Sequence, residues 1–119
     1  MGMMPQDIRW RDSKATSELG EILGHTASAL VVPNSRTLFD GWLYWGKERL
    51  VFIADQPIFG GQRVLSVAYE ELKMPSVRYL LYNGELKFES VSPELIFHST
   101  RRRIKEIEKA IRSHLNSLI

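Results

Sequence analysis

The chain has 119 residues, of which 44% are hydrophobic and 25% are charged. This length and composition are typical of one globular domain with a single core, and they argue against a disordered chain. The longest apolar run, Leu50–Ala54, is far shorter than the ~18 residues of a membrane span, so we do not expect an integral membrane protein.

The cysteine content and the start of the chain predict a location. The chain has no cysteine, which excludes disulfides and thiolate metal sites and fits a reducing compartment. Residues 1–5 lack the charged and apolar regions of a signal peptide. We therefore expect a cytoplasmic protein that could also lie peripherally at a membrane.

The net charge of +2 is unevenly distributed. From Arg101 onward, six basic residues oppose two acidic ones, so this segment carries +4 and residues 1–100 carry −2. The positive charge therefore belongs to one structural element.

The N-terminal part of the chain predicts an arm, a short helix and a hairpin. Residues 1–12 have no sustained period, whereas Ser13–Leu23 has apolar residues at helical spacing and is followed by Gly24, a typical helix end. Thr37–Trp45 and Arg49–Ala54 are aromatic and β-branched, and a short polar turn separates them. We predict that they form the hairpin around which the fold is built.

Further strands and a closing helix complete the pattern. Asn83-Gly84 predicts a tight turn. Ser99 or Thr100 caps a helix whose apolar residues recur at steps of three and four, which places them on one face: Ile104, Ile107, Ile111, Leu115 and Leu118. The remaining predicted strands are Ala27–Val32, Arg63–Tyr69, Val77–Tyr82, Glu85–Val91 and Glu94–His98. The last of these could instead be a helical turn with Ser92 as its N-cap, but we favour the strand.

Seven short antiparallel strands followed by one amphipathic helix predict a mainly β fold, with an N-terminal arm or short helix over 1–20 and a domain over 21–119. Gly41-Trp42-Leu43-Tyr44-Trp45, followed by Arg49-Leu50-Val51-Phe52-Ile53, resembles the hairpin of GRAM and bacterial PH-like domains. Gly46 replaces the small polar residue usual there. The resemblance covers about residues 21–118 and implies a seven-stranded barrel with the C-terminal helix plugging one open end.

The resemblance also implies a small adaptor or lipid-binding module without a cofactor or catalysis. Phosphoinositide-binding relatives have several basic residues across the first strand pair. The matching stretch here, Val31–Thr37, offers only Arg36. Phosphoinositide binding is therefore not carried over to this chain.

Two candidate binding features stand out. Ile58 and Phe59 lie between Pro57 and Gly60-Gly61, and could form an exposed wedge or fold back to close the barrel mouth. The basic residues Arg101, Arg102, Arg103 and Lys105 could bind anionic lipid or nucleic-acid phosphates, or could simply be a solvated helix face.

The aromatic hairpin could also stack against single-stranded nucleic acid. At β spacing, however, Trp45 shares a face with Leu43 and belongs to the core, which leaves Trp42 and Tyr44 on the outside. Core packing or sheet cover is the better interpretation, so we do not expect a nucleic-acid partner.

No residue pattern indicates catalysis. The three histidines His25, His98 and His114 are scattered, and Glu70 and Glu71 are adjacent and point to opposite faces of a strand. Gly60-Gly61 leads into a strand and does not open a helix. We therefore expect no metal, no cofactor, no small-molecule substrate and no enzyme.

Three hypotheses follow. The first is a non-catalytic PH/GRAM-like module that binds a protein segment or associates with itself. The second is peripheral binding to anionic membranes through the Ile58-Phe59 loop and the basic helix. The third is a helix-grip carrier or enzyme with an apolar internal cavity, which a core filled by Trp45, Phe52 and Phe88 would exclude.

Overall fold

The computed structural model describes residues 5–32, 37–58, 61–71, 76–88 and 94–118. The predicted fold class is confirmed, because seven antiparallel strands lie between a short N-terminal helix and a C-terminal helix. The elements are α1 (Pro5–Leu19), β1 (Gly24–Val32), β2 (Thr37–Trp45), β3 (Arg49–Ala54), β4 (Val64–Ala68), a 3-10 turn (Tyr69–Glu71), β5 (Ser76–Tyr79), β6 (Asn83–Phe88), β7 (Leu95–Thr100) and α2 (Arg101–Ser117).

The strands form one curled sheet in the order β4-β3-β2-β1-β7-β6-β5, with β4 and β5 at its edges. At one end, here called the helix end, Gly24 pairs with Trp45 and Asn83 pairs with Thr100. The helix α2 starts there, beside the β5–β6 turn, and reaches the 3-10 turn after β4. The opposite end, here called the loop end, holds Ala54 and the connection from β3 to β4.

The core lies between the inner face of the sheet and α2. Alternate residues of each strand point inward because side chains in a strand alternate between its two faces. The Phe97 ring lies 5.6 Å from that of Phe52 and 5.9 Å from that of Phe88, measured between centroids. Three residues of the predicted helical stripe are fully buried against this cluster: Ile104, Ile107 and Ile111.

The last predicted residue of that stripe is not part of the core. Leu118 is 57% exposed, because α2 ends at Ser117 and Leu118 lies beyond the helical register. Leu115 still packs against the core.

The N-terminal helix differs from its prediction in bounds and in role. It spans Pro5–Leu19 and not Ser13–Leu23, and it ends where Gly20 adopts a positive φ of 74°, a conformation that glycine adopts easily. Ala15 is fully buried against the outer face of the sheet, in a cluster with Tyr44 and Val51. Tyr44 therefore lies on the outer face of the sheet, as its alternation predicts, but it is buried there because α1 covers it.

The β5–β6 turn is also displaced from its prediction. Asn83-Gly84 is the start of β6, and the two turn residues are Leu81 and Tyr82, enclosed by a hydrogen bond of 2.8 Å from the Leu80 N–H to the Asn83 carbonyl. A shift of two residues leaves Leu86 and Phe88 on the inner face, as predicted. A Cβ on Gly84 would lie 3.0 Å from Ile104, so this glycine lets α2 approach the sheet.

Within the described ranges, no helix has both the length and the hydrophobicity needed to cross a membrane.

Candidate binding surfaces at the helix end of the sheet

The β5–β6 turn projects two large side chains into solvent. Leu81 is 76% exposed and Tyr82 is 79% exposed. The backbone N–H of Arg101 donates a hydrogen bond of 3.0 Å to the Tyr82 carbonyl. The turn is therefore fixed to the first residue of α2, and its two exposed side chains lie beside the start of the helix.

The start of α2 is strongly basic. Thr100 is the N-cap, and its side-chain oxygen accepts a hydrogen bond of 3.4 Å from the Arg103 N–H. The Arg101 guanidinium and the Lys105 ammonium lie 5.3 Å and 5.4 Å from the centroid of the Tyr79 ring. These cation–π contacts place both charges on the side of α2 that faces β5 and the turn.

Carboxylates balance only part of this charge. Glu106 lies 3.0 Å from Arg103 Nη1 and 3.7 Å from Arg102 Nε, and thus one carboxylate serves two guanidinium groups. Glu108 lies 3.5 Å from Arg112 and accepts a hydrogen bond from the Tyr79 hydroxyl. The first turn of α2 contains no acidic residue, although the positive end of the helix dipole would favour one.

The exposed residues of the turn and the basic residues at the start of α2 are here called the tip surface: Leu81, Tyr82, Arg101, Arg102 and Lys105. Burial raises the pKa of Tyr79 beneath it, and the Glu108 carboxylate adds to this effect. The structure therefore brings together the predicted basic residues, and it adds two apolar residues that were not predicted as a site.

A groove of about 450 Å³ runs along the other half of α2. It separates the C-terminal half of the helix from the β2–β3 turn, and we call it the helix groove. The His114 imidazole Nε2 lies 3.2 Å from Glu70 Oε1, so α2 is tied to the 3-10 turn beside it. The lining residues are Leu23, Lys47, Glu48, Ala110, Ser113, His114 and Ser117.

Buried groups hold the walls of the helix groove in place. Tyr69 is fully buried and its hydroxyl donates a hydrogen bond of 2.7 Å to the Gly46 carbonyl, next to the turn. Burial raises the pKa of Tyr69 well above its ordinary value. The Leu23 N–H donates to the Trp45 carbonyl at 2.9 Å, so the apolar Leu23 is held at the mouth of the groove.

The surroundings of the helix groove are mildly acidic. A neighbouring depression shares Lys47 and Glu48 with it, and adds Glu18, Glu21 and Arg49. The Lys47 ammonium is already paired with Glu21, at 3.2 Å. Three carboxylates thus oppose two fixed positive charges in these two linings.

A third groove, of about 340 Å³, lies on the outer face of the sheet beside Trp42. Asp40, Asp55 and His98 line it, and His98 Nδ1 lies 3.6 Å from Glu85. Across the ranges that the structure describes, however, no three His, Asp or Glu side chains are grouped so that they could hold a metal ion.

Ile58 is not brought together with the basic helix. It lies at the loop end of the sheet, packs partly buried against the core, and donates its N–H to the Gln62 carbonyl at 2.7 Å. The start of α2 lies at the helix end, so these two parts of the predicted membrane site do not share one plane. The other predicted residues, Phe59 and Arg36, lie outside the described residues.

Sequence reasoning missed Leu81 and Tyr82 because they were assigned to a strand. A signal was present: Leu80, Leu81 and Tyr82 are three consecutive large apolar residues, which breaks the alternation expected of a strand with one wet face.

Comparisons with known proteins support the fold alone. No family model matches the chain, and no curated protein matches its sequence. A similar solved structure is the crystal structure of the C-terminal domain of an unknown protein from Leishmania infantum. It superposes with a TM-score of 0.58 at 19% sequence identity, over 90% of this chain and 96% of that one.

Proposed function

We propose that this protein is a non-catalytic PH/GRAM-like module that binds a segment of another protein in the helix groove. The observation that carries the proposal is the groove itself, an apolar cleft with an acidic surround beside the C-terminal helix. We place this activity in the cytoplasm, in agreement with a chain that has no cysteine.

The chemistry of the groove defines the segment that fits it. Leu23 and Ala110 offer apolar surface to one inserted side chain, and burying a leucine there would contribute roughly 1.5–3 kcal/mol. Glu48 and Glu18, in the adjoining depression, would attract lysine or arginine next to that leucine. We therefore expect a short segment with an apolar anchor and basic flanks.

The filled core favours a binding site on the surface of the protein rather than a ligand site inside it. Trp45, Phe52 and Phe88 are all buried in one cluster, in the space where a helix-grip carrier would hold its ligand. In the described part of the chain, every buried side-chain nitrogen and oxygen also has a hydrogen-bond partner. These polar groups therefore serve the fold.

A labelled peptide of leucine and lysine tests this proposal by fluorescence polarisation. We expect it to bind, and we expect peptides with serine for leucine or glutamate for lysine to bind at least about tenfold more weakly, a difference of about 1.4 kcal/mol. Ser113→Arg should obstruct the groove and abolish binding. Asn116→Arg adds the same charge to an exposed position of α2 outside the lining and should have no effect.

Two results would contradict the proposal. One is no binding of the leucine-lysine peptide, and the other is an equal loss in both arginine variants. A second copy of the chain is the rival occupant, since the tip surface is itself apolar and basic. Sedimentation of the chain alone decides this point: a dimer that Ser113→Arg dissociates would make the module self-associating.

A further inference from the structure

We propose that the tip surface docks this protein on an anionic membrane, with Leu81 and Tyr82 entering the interfacial region and the start of α2 contacting the lipid headgroups. This inference does not rest on the helix groove, because the two surfaces share no residue. It also assigns to the β5–β6 turn the apolar role that the Ile58-Phe59 loop was expected to have.

The shape of the turn fits a membrane. Leu81 and Tyr82 are neighbours on a two-residue turn, and both are more than three-quarters exposed. Such turns usually hold asparagine, aspartate or glycine, yet here they present a leucine and a tyrosine to water. The two side chains project from the surface, so they can enter a lipid interface without any change in the fold. Tyrosine is well suited to that depth, since its ring is apolar and its hydroxyl is polar.

The positive charge of the tip surface favours lipids with a negatively charged headgroup. Arg101, Arg102 and Lys105 flank the turn, and the positive end of the α2 dipole adds to their field. Glu106 is shared between Arg102 and Arg103, which leaves Arg101 and Lys105 available toward the turn. Each of these groups would attract an anionic headgroup, over the distance at which salt does not yet screen the electrostatic attraction.

The apolar residues distinguish a membrane from a nucleic acid. Phosphates of either partner could satisfy the arginines, and Tyr82 could stack on a base. Leu81, however, would gain nothing from a phosphate backbone and would stay in water. A lipid surface offers both an acyl boundary for Leu81 and headgroups for the arginines at the depths where the turn and helix place them.

The test is co-sedimentation of the full chain with vesicles of phosphatidylcholine, alone or mixed with phosphatidylserine, at low and physiological salt. We expect binding only to the mixed vesicles and less of it at the higher salt. Leu81→Ser and Lys105→Glu should each weaken binding by about fivefold or more. As matched controls, Leu38→Ser changes a leucine that is 58% exposed near the loop end, and Lys14→Glu reverses an exposed charge on α1. Both should bind as the parent does.

A second readout does not depend on loss of binding. The parent chain has three tryptophans, so in Tyr82→Trp the emission in excess of the parent's is followed; it should shift to shorter wavelength with the mixed vesicles and be quenched by brominated lipid. No pelleting with the mixed vesicles at either salt, or equal weakening by Leu38→Ser and Leu81→Ser, would overturn the proposal. If the vesicles do not bind, binding of a single-stranded oligonucleotide that is unaffected by Leu81→Ser would also overturn the proposal. Ser113→Arg should retain vesicle binding, which separates this proposal from that of the helix groove.

Discussion

Arg11 donates a hydrogen bond from its Nε to the Tyr44 hydroxyl at 2.7 Å, and so joins α1 to β2 across 33 positions of the chain. The Tyr44 hydroxyl in turn donates to Asp12 Oδ1 at 2.6 Å. The Arg11 guanidinium also lies 4.0 Å from the centroid of the Trp42 ring. These contacts hold the helix on the outer face of the sheet, where Tyr44 and Arg11 are both buried.

Removing the Tyr44 hydroxyl should destabilise the fold. In Tyr44→Phe, the ring still packs under α1 but both hydrogen bonds are lost, so we expect the free energy of unfolding in urea to fall by about 1–2 kcal/mol. Tyr82→Phe is the matched control and should change stability by less than about 0.5 kcal/mol, since its hydroxyl is in solvent. An equal effect of the two variants would contradict the role given to Tyr44.

The same hydroxyl should make stability sensitive to alkaline pH. Burial, and then the hydrogen bond to Asp12, raises the pKa of Tyr44 to about 12 from 10.0. The folded state therefore keeps the proton over a range in which the unfolded chain releases it, and stability is lost as the pH rises from about 10 to about 12. Urea unfolding between about pH 8 and about pH 11 should show this fall, and its slope should be smaller in Tyr44→Phe. Some slope will persist, because burial also raises the pKa of Tyr69.

The cover that α1 provides can be tested at its fully buried residue. Ala15→Glu places a carboxylate between the helix and the sheet, so we expect a loss of about 3 kcal/mol or more in the free energy of unfolding. Ser17→Glu puts the same group on the exposed side of α1 and should be almost neutral. If the two variants unfold at the same urea concentration, α1 does not cover the sheet in solution.

Most of the fold could be predicted because the hydrophobic pattern of the sequence agrees with the positions that the residues occupy in the structure. The hairpin strands Thr37–Trp45 and Arg49–Ala54 have their predicted bounds, since aromatic and β-branched runs on both sides of a polar turn allow little else. The buried residues of α2 were likewise visible from their spacing. The role of α1 was not visible, because its most buried residues are small Ala15 and charged Arg11, and its larger apolar residues Trp10 and Leu19 form only a weak stripe.

One glycine shows how local reasoning failed at the end of α1. Gly24 was interpreted as the helix end, but it is the first residue of β1, where a Cβ would lie 2.3 Å from the Trp45 ring. Glycine is required at this position because Trp45, which is distant in sequence, packs closely against it. The local sequence around Gly24 does not reveal this contact. Gly20, the residue that ends the helix, lies within the predicted helix Ser13–Leu23.

The binding surfaces were predictable to different degrees. The basic residues of the tip surface lie within five positions of the chain and were found from charge alone. Leu81 and Tyr82 were missed because the turn lies two residues before Asn83-Gly84. The residues that line the helix groove could not be predicted, since they come from Leu23, the β2–β3 turn and the end of α2, three segments far apart in sequence.

Whether the helix groove is the binding site can be decided by mapping amide chemical shifts of the isotope-labelled chain during titration with the leucine-lysine peptide. We predict that the largest changes fall on Leu23, Lys47, Glu48 and the amides of 110–117. Changes centred on Leu38 and Ile58 at the loop end, or on Asp40 and His98 in the outer groove, would contradict the proposed site.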